Sequence, residues 1–227
     1  MNVRYTFRSM NLSRYIAICS IACALSACTG VNTLSSKYPF PTTLPSEKVL
    51  DTQYQRLHHD LSPIPAYRFR MMVPVEWKTL ATKIEKDPAA DGTPSDIAVF
   101  REPGDWMTDP QTPIKGEISV SVVNVTGNKQ SPAEWLSTTL QKNAKGFTEL
   151  NRHSSPSAAG EVSDVLIEYK TGSDTLITRM MAFRSGDKMF VITGSDTASE
   201  YESNAQAFNV AIATFRLDSA GKNVPTK

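Results

Sequence analysis

The sequence predicts an α+β fold in which an antiparallel sheet is covered by amphipathic helices. Short segments with alternating apolar residues recur from residue 67 onward, and this period of two is typical of half-buried strands. The triplets Gly-Ser-Asp and Ser-Gly-Asp separate three of these segments and predict tight hairpin turns. Two further segments carry apolar residues at steps of three and four, the spacing of a helix that buries one face.

The N-terminal segment has the pattern of an export signal. Three arginines precede an apolar stretch over 15–25, and no acidic residue occurs before Glu47. This stretch of about 11 residues fits the core of a signal peptide and is shorter than the roughly 20 residues of a membrane-spanning helix. It ends in Leu-Ser-Ala-Cys at 25–28. Together these features resemble a bacterial lipoprotein signal, which implies cleavage after Ala27 and acylation of Cys28.

The expected modification predicts where in the cell the protein is located. Two or three acyl chains bind a protein firmly to a bilayer, so the membrane is an expected partner through the lipid anchor. Thr29 follows Cys28, at the position where an Asp tends to retain lipoproteins of enteric bacteria at the inner membrane. The sequence therefore predicts a protein of the bacterial cell envelope with its domain in the periplasm, anchored in the outer rather than the inner membrane.

Cysteine content and charge exclude several classes of function. Cys19 and Cys23 would leave with the signal, so the mature domain would have no disulfide, cysteine nucleophile or thiolate metal site. Without the three arginines of residues 1–27, 21 Lys and Arg stand against 23 Asp and Glu. The resulting net charge of about −2 provides no basic stripe, which argues against nucleic acid as a partner.

Residues 29–45 predict a tether because Ser, Thr and Pro are frequent there. A helix is expected next, capped by Ser46 and stopped by Pro63. Its apolar stripe, at steps of four, three and four, consists of Leu50, Tyr54, Leu57 and Leu61. The predicted organisation is a signal peptide over 1–27, the lipidated cysteine with tether and short helix over 28–66, a compact domain over 67–217 and a polar tail over 218–227.

Six strands are expected in the compact domain. The first lies where Tyr67 and Phe69 alternate with Arg68 and Arg70, and Pro74 ends it. The other expected strands cover 97–101, 117–126, 161–170, 175–184 and 188–193.

A helix is expected after residue 130. Ser131 can supply the N-cap, Pro132 suits the first helical position, and Glu134 completes a capping box. Trp135 lies on the apolar side and is expected in the core. Gly146 ends the helix.

The C-terminal helix has the clearest apolar stripe. Its members lie at steps of four and three and are Tyr201, Ala205, Phe208, Ile212 and Phe215. The other side is polar, and three of its residues are expected to face water, namely Glu202, Gln206 and Asn209. Asp196 or Ser199 is the expected cap, because Ser199 has capping-box spacing with Glu202.

Three pieces of the domain resemble the PsbP-like superfamily, which includes the DcrB-type bacterial lipoproteins. They are a strand with a Pro-x-x-Trp turn over 69–77, a strand pair ending in Gly over 181–194, and the end of the C-terminal helix over 208–217. The resemblance covers 67–217 and implies an α/β/α sandwich around an antiparallel sheet. It also implies a role in binding, assembly or chaperoning, and it brings no catalytic residue with it.

The histidines predict no metal or catalytic site. His58, His59 and Asp60 are adjacent on the expected helix, where neighbours point about 100° apart and do not chelate as i, i+4 pairs do. They are expected to form a solvated surface cluster, and His153 is also expected at the surface. The chain lacks the sequence motifs of nucleotide-binding proteins, serine hydrolases and zinc proteases. No cofactor and no metal are expected.

The candidate interface is the loop over 103–110, which carries Trp106 and Met107 among Gly and Pro residues. Exposed Trp and Met are enriched at protein interfaces. In the alternative, Trp106 folds back and closes one end of the sheet. Trp77 belongs to the predicted turn after the first strand and is expected in the core.

The sequence thus favours a non-enzymatic, membrane-anchored envelope lipoprotein that binds another protein. It would be an accessory module of a secretion or envelope-assembly complex, or a periplasmic chaperone. The alternative is a periplasmic carrier of a small ligand or lipid, with a pocket between sheet and helix. A hydrolase with a scattered site is a weaker third hypothesis.

Overall fold

A seven-stranded antiparallel sheet forms the centre of the structure, which is a computed structural model of the chain. The structure describes residues 37–59, 64–80, 88, 92–107, 115–143, 146–157, 160–172 and 174–218. The strands in it are β1 (Tyr54–His59), β2 (Phe69–Pro74), β3 (Lys78–Leu80), β4 (Ser95–Arg101), β5 (Glu117–Asn124), β6 (Thr148–Ser157), β7 (Gly160–Thr171), β8 (Asp174–Ser185), β9 (Lys188–Thr197) and β10 (Arg216–Leu217). The α-helices are α1 (Glu47–Gln53), α2 (Pro132–Asn143) and α3 (Tyr201–Thr214).

The central sheet has the strand order β3-β4-β5-β9-β8-β7-β6, and all its pairs are antiparallel. A second, small sheet has the order β1-β2-β10 and is also antiparallel. The predicted α+β fold class is therefore confirmed. The expected strands recur within a few residues of their predicted ends, whereas β1, β3, β6 and β10 were not predicted.

Alternate residues of the central strands point to opposite faces, so the sheet supports two separate cores. One core lies under α3 and includes the side of β2 that packs on this helix. The other lies under α2, which packs over β7 and β8. Strand β9 contributes to both, since Phe190 and Ile192 belong to the α3 core while Met189 and Val191 belong to the α2 core. Helices thus cover both faces, as the predicted sandwich requires.

The capping box of α2 is present as predicted. The backbone N–H of Glu134 donates to the hydroxyl of Ser131 at 3.3 Å, and the backbone N–H of Ser131 donates to the Glu134 carboxylate at 2.9 Å. Two of the free N–H groups at this helix start are thereby paired, and Pro132 at the first helical position has none to pair. Trp135 is buried under the helix, so its predicted core position is confirmed.

The helix expected from Ser46 is wrong beyond Gln53. Helix α1 stops there, and the next six residues form β1, which pairs with β2 through partners such as Leu57 and Met71. Along β1, Leu57 and His59 are partly buried while His58 between them is exposed, which is a strand alternation. Backbone pairing with β2 outweighs the helical spacing of the apolar residues. Residues 60–63, with Asp60, Leu61 and the predicted stop, lie outside the described part.

Helix α3 begins differently from the prediction. Its N-cap is Glu200, which makes no side-chain capping hydrogen bond, so neither Asp196 nor Ser199 caps it. Asp196 is buried and its carboxylate accepts hydrogen bonds from the Thr197 N–H at 2.7 Å and from the Asn204 amide at 2.8 Å. The predicted apolar stripe of α3 is confirmed, since all five of its members are buried.

The chain from Lys37 to Pro45, here called the strap, packs against the fold. Tyr38 is buried and Phe40 is partly buried against the α3 core. These residues were predicted to be tether, and the structure corrects that prediction for 37–45. The rest of the predicted tether, 29–36, lies outside the described residues, as do the signal peptide and the tail after Asp218. Within the described residues, every helix is too short or too polar to cross a membrane.

Candidate functional site

The predicted lipidation and interface residues are described only in part. Ala27 and Cys28 lie outside the described residues. Trp106 and Met107 lie in a 3₁₀ turn over Asp105–Met107. The side chain of Met107 is 54% exposed, whereas the side chain of Trp106 and residues 108–110 are outside the described part. Met107 is thus available for contact, as the interface hypothesis requires.

The tryptophan and histidine predictions can be compared with the structure. Trp77 is buried, with its ring centroid 6.1 Å from that of Phe208, so its predicted core position is confirmed. His58 and His153 are exposed as expected. His59 is instead partly buried and stacks on Phe69 at 4.9 Å, because it lies on a strand and not on a helix. Among the described side chains, no group of three His, Cys, Asp or Glu could hold a metal ion.

A buried arginine forms the most distinctive polar site of the fold, and sequence reasoning missed it. Arg179 on β8 is 2% exposed. Its Nε and Nη2 donate to the carboxylate of Asp164 at 2.6–3.2 Å. Its Nη1 donates to the backbone carbonyl of Pro41 at 2.7 Å and more weakly to Asn209 at 3.4 Å. The guanidinium also lies 4.2 Å from the centre of the Phe40 ring, a cation–π distance.

Helix α3 holds the strap from a second side. The amide of Asn209 donates to the Thr43 carbonyl at 2.8 Å, and that of Gln206 donates to the same oxygen at 3.2 Å. Asn209 is 1% exposed, so the prediction that it faces water is wrong. The reason is that the strap covers this side of the helix, and the polar side chain is needed to satisfy a strap carbonyl.

Aromatic contacts complete the attachment of the strap. The rings of Tyr38 and Tyr201 meet edge to face with centroids 6.1 Å apart. Burial raises the pKa of Tyr201 well above its usual value; the charge of Arg179 opposes this and that of Asp164 adds to it. Among the described residues, the Tyr201 hydroxyl has no hydrogen-bond partner. The strap is therefore fixed by three hydrogen bonds to its carbonyls, one of them from the buried Arg179, and by two contacts of its aromatic rings.

The arrangement positions backbone and does not present a reactive group to solvent. Arg179 is a donor to a carboxylate and a carbonyl at once, which its planar fork allows. A signal for it existed in the sequence. Ile177, Arg179, Met181 and Phe183 share one face of β8 by alternation, and an arginine at an inward position needs a buried partner.

A second polar cluster fixes the loop between β4 and β5 to the start of α3. The Asn204 amide donates to Glu102 at 2.9 Å and to Asp196 at 2.8 Å. Lys115 and Glu200 form an exposed ion pair at 3.6 Å. The loop that carries Met107 thus leaves and re-enters the sheet beside the first turn of α3.

An open groove lies where the strap, α1 and α3 meet. Its volume is about 490 Å³. Residues of the strap, α1, β1 and α3 and of the turn after β2 line it, and they include Leu44, Pro45, Val49, Tyr54, Trp77 and Ala207. Leu44 is 45% exposed at this groove.

The sequence matches no family model and no curated protein. Several solved structures are similar in shape. They include cyanobacterial PsbP (CyanoP) from Synechocystis sp. PCC 6803, with 12% identity over 86% of this chain and 99% of that chain and a TM-score of 0.46. LpqN of Mycobacterium tuberculosis, described as involved in cell envelope biogenesis, has 17% identity over 77% and 97% and a TM-score of 0.41. PA94 from Pseudomonas aeruginosa, of unknown function, has 12% identity over 70% and 94% and a TM-score of 0.42.

Proposed function

We propose that this protein is a lipid-anchored module of the bacterial envelope that acts by binding another protein and not by catalysis. The observation that carries the proposal is the position of Cys28, at the end of a signal-like segment and nine peptide bonds before the docked strap. A cysteine placed so would join a folded periplasmic domain to a membrane through acyl chains. An accessory role in an envelope-assembly or secretion complex, or in chaperoning, fits such a module.

The proposed contact surface is the turn with Trp106 and Met107. Met107 is one of three large apolar side chains that are strongly exposed among the described residues, the others being Leu44 and Val75. An exposed methionine suits a protein interface, since its flexible thioether adapts to a partner surface. The hydrogen bond from Asn204 to Glu102 fixes the residue that precedes this loop.

The carrier alternative has less support. It requires a pocket between the sheet and a helix, yet the described layer under α3 is filled by ring contacts such as Phe183 with Phe190 at 5.4 Å and Tyr201 with Phe208 at 5.6 Å. Among the described residues, open space for a ligand lies in the groove beside Leu44 and in a second groove of about 710 Å³, lined by polar residues of α2 such as Glu134 and Gln141 and by Arg152. Lipid co-purifying with the protein in stoichiometric amount, and lost on Leu44→Asp, would favour it.

The anchor is tested by expressing the full chain in a bacterium that processes lipoproteins. Mass spectrometry of the N-terminal peptide should find cleavage after Ala27 and acyl chains on Cys28, and density fractionation should place the protein in the outer membrane. The Cys28→Ala variant should remain unprocessed, whereas Cys23→Ala should behave as the natural chain. A mature protein with a free Cys28 thiol would contradict the proposal.

The interface is tested by mild crosslinking in intact cells, followed by mass spectrometry of the captured proteins. Met107→Asp should lose a captured partner at least tenfold. Val75→Asp serves as the matched control because Val75 is almost equally exposed, at 51%, and it should retain that partner. Equal capture of the partner by both variants would contradict the assignment of the interface to this turn.

A further inference from the structure

We propose that the end of the domain carrying the β4–β5 loop faces the membrane that holds the anchor and contacts its lipid headgroups. This surface, here called the loop end, consists of the exposed residues Pro103, Gly104, Asp105, Met107 and Lys115. The inference rests on the proposed acylation of Cys28 and adds an orientation to it. A protein partner of Met107 would then have to meet the loop end at the bilayer surface.

The first step is the direction of the strap. Thr43 is bonded to Gln206 and Asn209 in the middle of α3. Tyr38 contacts Tyr201, the first residue of that helix. Followed backward toward Cys28, the chain therefore runs toward the N-terminal end of α3.

The second step is the position of the loop end. Glu102, directly before it, is bonded to Asn204 in the first turn of α3. Lys115, which belongs to it, pairs with Glu200 immediately before α3. The loop end and the point where the strap leaves the domain thus lie beside the same helix turn.

The third step is the length of chain outside the structure. Nine peptide bonds join Cys28 to Lys37, so this stretch spans at most about 30 Å. If the strap were not docked, the chain from Cys28 to Ser46 would reach about 60 Å and would permit every orientation of the domain. Docking of the strap halves the reach, and a nearly extended chain is disfavoured by its lost conformational entropy. The strap exit therefore lies close to the bilayer.

The size of the domain makes the inverted orientation costly. Strand β5 has eight residues and separates the loop end from the hairpin at Ser185 by about 25 Å. The register supports this, since Glu117 pairs with Ser195 and Asn124 with Lys188. With the hairpin toward the membrane, the strap exit would stand about 25 Å from the bilayer, near the limit of the chain.

The chemistry of the loop end suits lipid headgroups. Met107 offers apolar surface, and the ammonium groups of Lys115 and Lys37 are exposed at the same end. Lysines near a bilayer are attracted by anionic lipids. Asp105 and Glu200 oppose part of this attraction, so the anchor supplies most of the binding and the loop end supplies contact.

The test uses the acylated full-length protein in vesicles of phosphatidylethanolamine and phosphatidylglycerol at three to one. Once Cys28 is acylated, a single new cysteine is the only thiol of the mature chain. A fluorophore is placed by Met107→Cys, Lys115→Cys or Ser185→Cys and quenched by headgroup-labelled lipid. We expect at least threefold stronger quenching at 107 and 115 than at 185. Equal quenching, or stronger quenching at 185, would overturn the proposal.

Releasing the strap gives a second readout. The double substitution Tyr38→Ala with Phe40→Ala, checked for an intact fold by its thermal melt, should reduce the quenching difference to less than 1.5-fold. A persisting threefold difference would show that the strap does not orient the domain. Mass spectrometry of the same samples separates the two proposals. If Cys28 carries no acyl chains, the proposed function is contradicted. If Cys28 is acylated and the quenching is equal at all three positions, only the proposed orientation is contradicted.

Discussion

Arg179 and Asp164 lie on neighbouring strands of the central sheet and share three hydrogen bonds at 2.6–3.2 Å, with side chains only 2% and 9% exposed. A buried ion pair of this kind does not by itself stabilise a fold, because desolvation of both charges offsets their attraction. What distinguishes this pair is a further hydrogen bond of the arginine, which Arg179 donates to the carbonyl of Pro41 in the strap. The pair stabilises one arrangement of the strap against all others.

Removing the arginine alone should be costly. Arg179→Met leaves the Asp164 carboxylate buried without its partner and frees the Pro41 carbonyl, and we expect a loss of about 3–5 kcal/mol in the free energy of unfolding. Urea denaturation measures it. The double variant Arg179→Met with Asp164→Leu should recover most of the loss, because no unpaired charge remains. Additive losses in the double variant would show that the two residues act separately.

Two side-chain amides donate to the Thr43 carbonyl of the strap, and one of them is buried while the other is more exposed. Asn209→Ala should lower the free energy of unfolding by about 0.5–1.5 kcal/mol, since the Thr43 carbonyl loses its shorter hydrogen bond. It should also speed proteolytic cleavage at Lys37 and Lys48. The matched control is Gln206→Ala, which removes the longer and more exposed bond to the same oxygen and should cost less than about 0.5 kcal/mol. Similar effects of both substitutions would contradict this account.

Close contact between α3 and β9 depends on Gly194. A Cβ at this position would overlap the side chain of Phe208, so Gly194→Ala should destabilise the protein by about 1–3 kcal/mol through overpacking. Combining it with Phe208→Leu should be less harmful than the sum of the two changes, by at least about 0.5 kcal/mol. Gly127→Ala, whose new Cβ would have no neighbour within 4 Å, should add to Phe208→Leu without coupling. Thermal and urea unfolding decide between these outcomes.

Tyr201→Phe tests the buried hydroxyl. Because this hydroxyl lacks a partner among the described residues, its removal should leave stability at pH 7 unchanged or raise it by up to about 1 kcal/mol. Burial raises the pKa of Tyr201 above 10.0, so the folded state favours the protonated phenol. The contribution of this preference to the free energy of unfolding is complete below pH 10 and is lost as the pH rises further.

The pH dependence can be read directly. Between pH 8 and pH 11 the free energy of unfolding should fall by about 1.4 kcal/mol more in the natural protein than in Tyr201→Phe. This is the free energy that corresponds to one pH unit above the ordinary pKa of tyrosine. Urea denaturation at both pH values measures the difference, and Tyr169, whose pKa is also raised by burial, is the same in both proteins. Parallel losses would mean that Tyr201 ionises normally in the fold.

The sequence was most informative where one side chain pattern decides the outcome. The stripe of α3 and the reciprocal bonds of Ser131 and Glu134 depend on local chemistry, and both are present. Strand β6 was missed because its residues are polar and show no alternation; it exists through pairing with β7. Strand β1 was misassigned because Tyr54 and Leu57 fit helical spacing, and only the distant β2 determines their backbone.

The errors at the site have one physical cause. Asn209 was expected in water because the periodicity of a helix says which side is polar but not what covers that side. Arg179 was not singled out because its partners, Asp164 and Pro41, are far away in the sequence. Both residues are explained by a segment whose composition resembles an open linker.

The bonds from the strap span 138 residues to Arg179 and 166 residues to Asn209. During synthesis, Pro41 and Thr43 appear long before either donor exists. The strap can therefore take its place only after the C-terminal helix has been made, and the cluster around Arg179 is among the last parts of the fold to close.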